Sequence, residues 1–233
     1  KFSYKVTTTK GERVIELSVP VLILHPASRE SFAAVILATN SLGLTYTQIK
    51  EALESNFTIP KGRSSLFAGI KNSLIIDSSY NSSKSTVLSF IEMLKTLKEK
   101  TGRPVLFLMG DMRELGNESK QEHQEVADAL LKVVDELYCV GPQTQEFVVP
   151  IIKEKIGKKG HVKKVEWYKN AIQAGLHIKE EMPENALILV KGSQNTLYLE
   201  EAIKFLLENQ NDTKSLTRQE DYWMKIKQDF FSV

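Results

Sequence analysis

Four short polar stretches follow short apolar runs: Asp77-Ser78-Ser79-Tyr80-Asn81, Gly110-Asp111-Met112-Arg113-Glu114, Gly141-Pro142-Gln143 and Lys191-Gly192-Ser193-Gln194. Two of them pair glycine or a small residue with an acid or a base, which suits the holding of phosphates, ribose or a charged substrate. A plainer explanation exists for single residues, since Asn81, Asp111 and Ser193 could each cap the helix that follows, at about 1 kcal/mol apiece. Four such loops on one edge of a sheet point instead to a site.

Other chemistries find little support. There is no G-x-x-x-x-G-K-S/T phosphate loop and no G-x-G-x-x-G fingerprint, and Lys61-Gly62-Arg63-Ser64 has the wrong spacing for the first. The chain therefore offers no ATP-phosphate cradle of its own. His25, His123, His161 and His177 are scattered without metal-ligand spacing, and Cys139 is the only cysteine, so no metal site is expected. The nucleophile elbow of the α/β-hydrolases, G-x-S-x-G, is also missing.

The elements that must position the loops can be read from periodicity. Leu74–Asp77, Val105–Met109, Leu137–Val140, Val165–Tyr168 and Ala186–Val190 are the apolar runs that a sheet covered on both faces requires. Amphipathic helices are predicted between them over Ser83–Lys98, Ser119–Val134, Thr144–Lys155, Asn170–Glu181 and Leu197–Leu207. This alternation predicts an α/β fold with a doubly wound, mostly parallel sheet, in which ligands bind outside the carboxyl ends of the strands. The first sixty residues read differently. A hairpin is predicted from Phe2–Thr8 and Arg13–Pro20 around Lys10-Gly11-Glu12, then helices over Ser31–Leu42 and Thr47–Ser55. Residues 209–233 begin as an Asn-rich linker and end in a helix over Thr217–Phe230, whose aromatic residues predict docking on the body.

Composition narrows the class further. With 31 Lys+Arg against 29 Asp+Glu, the net charge is +2 and no basic stripe suits nucleic acid. The basic stretch Lys153–Lys164 lacks interleaved aromatics and reads as a solvated helix end. No apolar run is long enough to span a membrane. A single thiol in apolar surroundings and no secretion signal predict a cytoplasmic protein with Cys139 buried. Because Phe2-Ser3-Tyr4 already reads as a strand, a further portion is expected upstream of Lys1.

Taken together, the motifs resemble the Mur ligases, and within them the MurF-type branch that adds D-alanyl-D-alanine. Ile75-Ile76-Asp77-Ser78-Ser79-Tyr80-Asn81 is similar to that branch's Asp-Asp-x-Tyr-Asn loop. Gly110-Asp111-Met112-Arg113-Glu114-Leu115-Gly116, with Ser119 and His123, matches its G-D-M-x-E-L-G-x-x-S-x-x-x-H signature at every fixed position. Val190-Lys191-Gly192-Ser193, with Leu199-Glu200, resembles its V-K-G-S-R segment and the helix after it.

The resemblance implies a Rossmann-like C-terminal domain over residues 61–208, preceded over 1–60 by the α+β end of a central ATPase domain. It leaves 209–233 unexplained. The implied reaction is amide synthesis: ATP phosphorylates the carboxylate of a UDP-linked muramoyl tripeptide, and the amine of D-alanyl-D-alanine attacks the acyl phosphate. Magnesium neutralises the charge that builds up. Phosphate loop and metal ligands belong to the part of the central domain that precedes this chain, so no catalytic residue and no metal ligand is expected here. Arg63, Asp77, Ser78, Tyr80 and Asn81 are the implied nucleotide side, and Asp111, Arg113, Glu114, Lys191, Gly192 and Ser193 the implied substrate side. A monomer is expected.

Three departures stand against the pattern. Ser78 replaces the second Asp of the pair, and a hydroxyl lacks the charge assistance of a carboxylate. Gln194 replaces the arginine of V-K-G-S-R, and Leu24-His25-Pro26-Ala27-Ser28-Arg29-Glu30 stands where the family has a Gly-x-His-Asn element. These departures keep open a second reading, a catalytically impaired ligase-like protein that contacts cell-wall precursors or partner enzymes; against a third, a sister ligase for another amino acid, stands the intact Gly110–Gly116 signature.

Overall fold

Ile15, Leu17, Phe32, Ile36 and Ile49 form the core of the first of two structural units, Lys1–Pro60. The computed structural model describes residues 2–8, 11–18, 26–158, 160–194 and 196–232. In the first unit β1 (Phe2–Thr8) and β2 (Gly11–Leu17) pair antiparallel, with Phe2 opposite Leu17. Strand alternation turns Ile15 and Leu17 inward and Val14 and Glu16 outward. Two helices follow, α1 (Pro26–Ser41) and α2 (Tyr46–Asn56). Thr45 and Gln48 cap α2 reciprocally, satisfying two amides that a helix start leaves open. Phe32 meets Phe57 edge-on at 4.8 Å.

The expected second strand stops at Leu17, and Lys10, Val19, Pro20, Leu24 and His25 lie outside the described residues. The helix expected from Ser31 begins already at Pro26, a residue whose fixed φ and missing N–H suit a first turn.

The second unit, Lys61–Val233, is built on a six-stranded sheet. Its elements are β3 (Ser65–Gly69), β4 (Ser73–Ser78), α3 (Lys84–Thr101), β5 (Val105–Gly110), α4 (Ser119–Leu130), β6 (Glu136–Val140), α5 (Pro142–Phe147), α6 (Val149–Lys155), β7 (Lys164–Tyr168), α7 (Ala171–Glu181), β8 (Leu187–Lys191), α8 (Glu200–Ile203) and α9 (Asp221–Phe231). The strand order is β3-β4-β8-β5-β6-β7, with β3 antiparallel to β4 and all other neighbours parallel. This is the mostly parallel α/β sheet that the alternation predicts.

Both faces of the sheet are covered. Leu106, Leu108, Tyr138, Ile188 and Val190 pack in one cluster with Ala174 and Ile178 of α7 and with Ala202 and Ile203 of α8. Val105, Phe107, Leu137 and Leu189, of the opposite strand parity, are equally buried. Cys139 is among the buried residues, and burial pushes its thiol up out of the reactive range.

Several elements differ from expectation for identifiable reasons. Strand β3 went unforeseen: it joins β4 through Lys71 and Asn72, both left-handed, a turn whose usual Asn-Gly signal is absent. The helix expected over Thr144–Lys155 breaks at Val148, since Pro150 has no amide proton to continue it. The helix expected over Ser119–Val134 ends at Leu130. Leu197–Leu207 is helical only over Glu200–Ile203, because Thr196 and Tyr198 have positive φ. Beyond Ile203 the chain turns to bridge the sheet edge, where the Ile70 N–H donates to Leu206 O at 2.8 Å and the Glu208 N–H to Ala68 O at 3.1 Å.

The tail is no loose linker. Gln210–Ser215 form a 3-10 turn, Leu216, Thr217 and Arg218 are buried, and α9 starts at Asp221 because Arg218 is left-handed. Its buried side chain is Lys227, whereas Tyr222 is 71% exposed, and Phe231 packs against the sheet cluster. Among the described residues no helix is long and apolar enough to cross a membrane.

Candidate functional site

Strand register brings three of the polar loops together at the carboxyl ends. Lys191 lies in register between Ser78 on β4 and Met109 on β5, and Gly110 is opposite Val140. The loops are then tied by hydrogen bonds. The Ser193 N–H donates to Asp111 O at 3.0 Å, while the Ser193 hydroxyl accepts from the Arg113 N–H at 2.9 Å and reaches Ser82 O at 3.4 Å. Gly110 and Gly192 touch through their backbones. A Cβ on Gly110 would lie 3.2 Å from the Gly192 Cα, and one on Gly192 3.0 Å from the Gly110 Cα.

On the β5–β6 side the polar groups are absorbed by the protein itself. The buried Asp111 carboxylate accepts from the Thr144 N–H at 2.8 Å, capping the first turn of α5 from a neighbouring loop. Burial pushes its pKa up, against the hydrogen bonds from the Thr144 and Gln143 amides. Gly141, at φ 114°, lies so close that a Cβ there would come within 2.4 Å of an Asp111 oxygen. His123, fully buried on α4, accepts the Met112 N–H at Nε2 (3.1 Å), and its Nδ1 lies 2.7 Å from Ser119 O. A carbonyl can only accept, so Nδ1 carries the proton. Ser119 in turn bonds Gln143. His123 and Ser119 therefore brace the Asp111–Glu114 loop and do not face outward.

The β4–β8 side is different. Lys191 is 3% exposed, yet among the described residues its Nζ meets only the Asn81 carbonyl at 2.8 Å and the Ser78 hydroxyl at 3.5 Å, with the Phe90 ring 5.1 Å away. Among the described residues no carboxylate pairs with it, and burial, with the nearby Arg63 charge, lowers its pKa to about 8. On the other face of β4, Asp77 is fully buried: Oδ1 accepts the Ser79 N–H at 3.0 Å, while among the described residues Oδ2 meets no hydrogen-bond partner, as is true of the Ser79 and Ser82 hydroxyls. Burial raises the Asp77 carboxyl to about 6. Tyr80, partly exposed, has the Arg63 guanidinium 4.6 Å from its ring centroid and that of Arg218 at 5.9 Å.

The family model for "Mur ligase, glutamate ligase domain" matches residues 62–194. The chain belongs to the Mur ligase family. It is 30% identical over 195 residues to the UDP-N-acetylmuramoyl-tripeptide–D-alanyl-D-alanine ligase of Escherichia coli, covering 82% of this chain and 40% of that protein. The ligase of the same name from Rickettsia prowazekii is 27% identical over 185 residues, covering 79% and 38%. The chain thus spans about two fifths of the length of these two curated relatives. Among solved structures, MurF from Acinetobacter baumannii superposes with a TM-score of 0.69 at 20% identity, covering 89% of this chain and 42% of that one. MurF ligase from Thermotoga maritima in complex with ADP gives 0.64 at 19% identity, covering 87% and 42%. At such identities these two likenesses show the fold.

Within this Mur ligase domain, Ser78, Tyr80, Asn81, Asp111, Lys191, Gly192 and Ser193 stand along one rim, with Arg63 beside Tyr80. Arg113 and Glu114 are exposed on the same loop as Asp111, and Glu114 is left-handed. Asp77 lies under its loop and does not open onto the rim. Among the described residues no three His, Cys, Asp or Glu side chains gather as a cation site. Sequence reasoning missed Thr144, whose amide holds Asp111, and Arg218, which lies at the start of the helix expected over Thr217–Phe230 and reaches the Tyr80 loop. The signal that stretch did carry was the run of aromatic residues in the expected Thr217–Phe230 helix, which predicts docking but not the role of Arg218.

Proposed function

We propose that this chain is the portion of an ATP-dependent amide ligase that closes over the nucleotide and presents the incoming amine, in the addition of D-alanyl-D-alanine to a UDP-N-acetylmuramoyl-tripeptide. The names of the curated relatives and the three motif loops support this reaction. The observation that carries the reading is Lys191. A cation buried at a rim with only neutral acceptors is costly unless an anion arrives to pair with it, and the carboxylate of the dipeptide is such an anion. Exposed Arg113 and Glu114 extend that side outward, while Asp111, Gly192 and Ser193 shape the wall behind it.

The nucleotide side is Tyr80, with Arg63 over its ring, next to Ser78 and Asn81 on the loop that Asp77 anchors through the Ser79 amide. The tyrosine ring suits a nucleoside face and Arg63 an anionic phosphate. ATP supplies the phosphoryl group that activates the tripeptide carboxylate. Magnesium and the phosphate loop are assigned to the part of such ligases that this chain does not span, where charge on the transferred phosphoryl must be neutralised.

Full-length protein, given ATP, magnesium, UDP-N-acetylmuramoyl-tripeptide and D-alanyl-D-alanine, should release one phosphate per amide formed. Lys191→Met should raise KM for the dipeptide about tenfold or more, the loss of a charge-assisted contact, with KM for ATP far less changed. Nucleotide binding without phosphate release, both other substrates being present, would reject the ligase in favour of an impaired binding protein, the reading that Ser78 and Gln194 motivate.

A further inference from the structure

Five charged side chains lie buried or nearly so behind the Tyr80 loop, and three elements supply them: Asp77 at the end of β4, Glu200 and Glu201 on α8, Arg218 before α9 and Lys227 on it. Arg218 grips Glu200 with two bonds, Nε to Oε1 at 2.8 Å and Nη2 to Oε2 at 2.6 Å. Lys227 donates to Glu201 Oε1 at 2.5 Å and to the Arg218 carbonyl at 2.6 Å, and stands 3.5 Å from Glu200. Helix α9 thus holds Arg218 from behind through its backbone, while Glu200 holds the guanidinium from the side.

Fastening a tail needs no such cluster, since apolar packing achieves it without desolvating charges. What charge adds here is reach and direction. The Arg218 Nη2 comes 3.5 Å from Ser79 O, and its guanidinium stands 5.9 Å from the Tyr80 centroid and 5.5 Å from that of Tyr198. The neighbouring Thr217 lies behind the same loop: a Cβ on Gly62 would be 3.1 Å from the Tyr80 Cβ and 3.2 Å from the Thr217 Cγ2, and the Tyr80 N–H donates to Gly62 O at 3.1 Å. Gly62 immediately precedes Arg63, whose guanidinium stacks on Tyr80.

We infer that the segment Leu216–Phe231 belongs to the nucleotide side of the site, with Arg218 a positioning residue that fixes Tyr80 and, through it, Arg63. The inference rests on the proposed nucleotide-binding reading of that loop. Arg218 acts through its neighbours, and the two-pronged guanidinium matters as well as its charge, because a lysine could not hold Glu200 in two places while reaching Ser79.

The test uses full-length protein. Arg218→Lys keeps the charge and should raise KM for ATP about fivefold while KM for the dipeptide stays within about twofold, the signature of one-sided loss of binding. Lys227→Met, which frees α9 from Glu201, should shift KM for ATP in the same direction by less. Thermal unfolding of both variants establishes that they are folded under the assay conditions. A folded Arg218→Lys protein with unchanged KM for ATP, or with both KM values raised equally, overturns the inference while leaving the ligase reading intact. Should wild-type protein bind ATP but form no amide, the ligase reading fails alone, and the inference then requires Arg218→Lys to weaken ATP binding by the same factor in calorimetry. Wild-type protein that binds no ATP at all sinks both.

Discussion

At the β5–β6 end of the rim, Asp111, His123 and Ser193 accept hydrogen bonds from other parts of the protein, from the Thr144, Met112 and Arg113 amides respectively. At the β4–β8 end, Asp77 keeps one oxygen without a partner and Lys191 has only neutral acceptors. Both ends are built from motif residues of similar polarity, and both are buried. The difference is in satisfaction: a buried polar group that is fully bonded stiffens the fold, whereas one left unpaired stores a cost, which at Lys191 an anion could relieve and at Asp77, closed under its loop, stays within the fold. The strongest of the three motifs thus works mainly as a brace, and the weaker one around Lys191 carries a buried charge that no carboxylate among the described residues balances.

The comparison is broken most severely from the braced end. Gly141→Ala forces a Cβ against the Asp111 carboxylate at a left-handed backbone position, and should cost roughly 3 kcal/mol or more in urea unfolding through lost capping and strain. A loss below about 1 kcal/mol would mean that Asp111 is not held as described.

The open end should show itself in the pH dependence of stability. Asp77 has a folded pKa of about 6 against an ordinary 3.8, so the folded chain retains a proton that the unfolded chain has lost, and stability falls as pH rises between those values. Lys191 has a folded pKa of about 8 against 10.5, so its contribution is lost as pH falls through that window and regained above it. Each amounts to roughly 3 kcal/mol, from 1.36 kcal/mol per pKa unit. Asp77→Asn should flatten the acid limb and Lys191→Met the alkaline limb in unfolding curves taken across pH. A limb unchanged by its own substitution would show that the group is solvated after all.

The smallest effect sharpens the boundary between the two ends. Ser193→Ala removes the hydroxyl that accepts the Arg113 amide and reaches Ser82 O, and should cost about 1 kcal/mol. Faster amide exchange at Arg113, with His123 and Met112 unaffected, would locate the loss at the junction. Exchange spreading through α4 would instead make the two ends one unit.

Much of this architecture was legible in the chain itself. Five apolar runs alternating with amphipathic helices dictate a parallel sheet covered on both faces, because such runs have no other way to leave water, and the polar loops that follow then fall on one edge. The order Asp77–Asn81, Gly110–Gly116, Lys191–Ser193 carries the family resemblance in the sequence alone. Strand order and side-chain pairing were not legible there. That β8 inserts between β4 and β5 puts Lys191 beside Ser78, and that Arg218 folds back onto Glu200 makes the start of the expected C-terminal helix part of a wall. Periodicity records which faces are buried, because burial depends on one residue at a time. Which buried charge meets which partner depends on pairs far apart in sequence, and only the packed tertiary structure sets those distances.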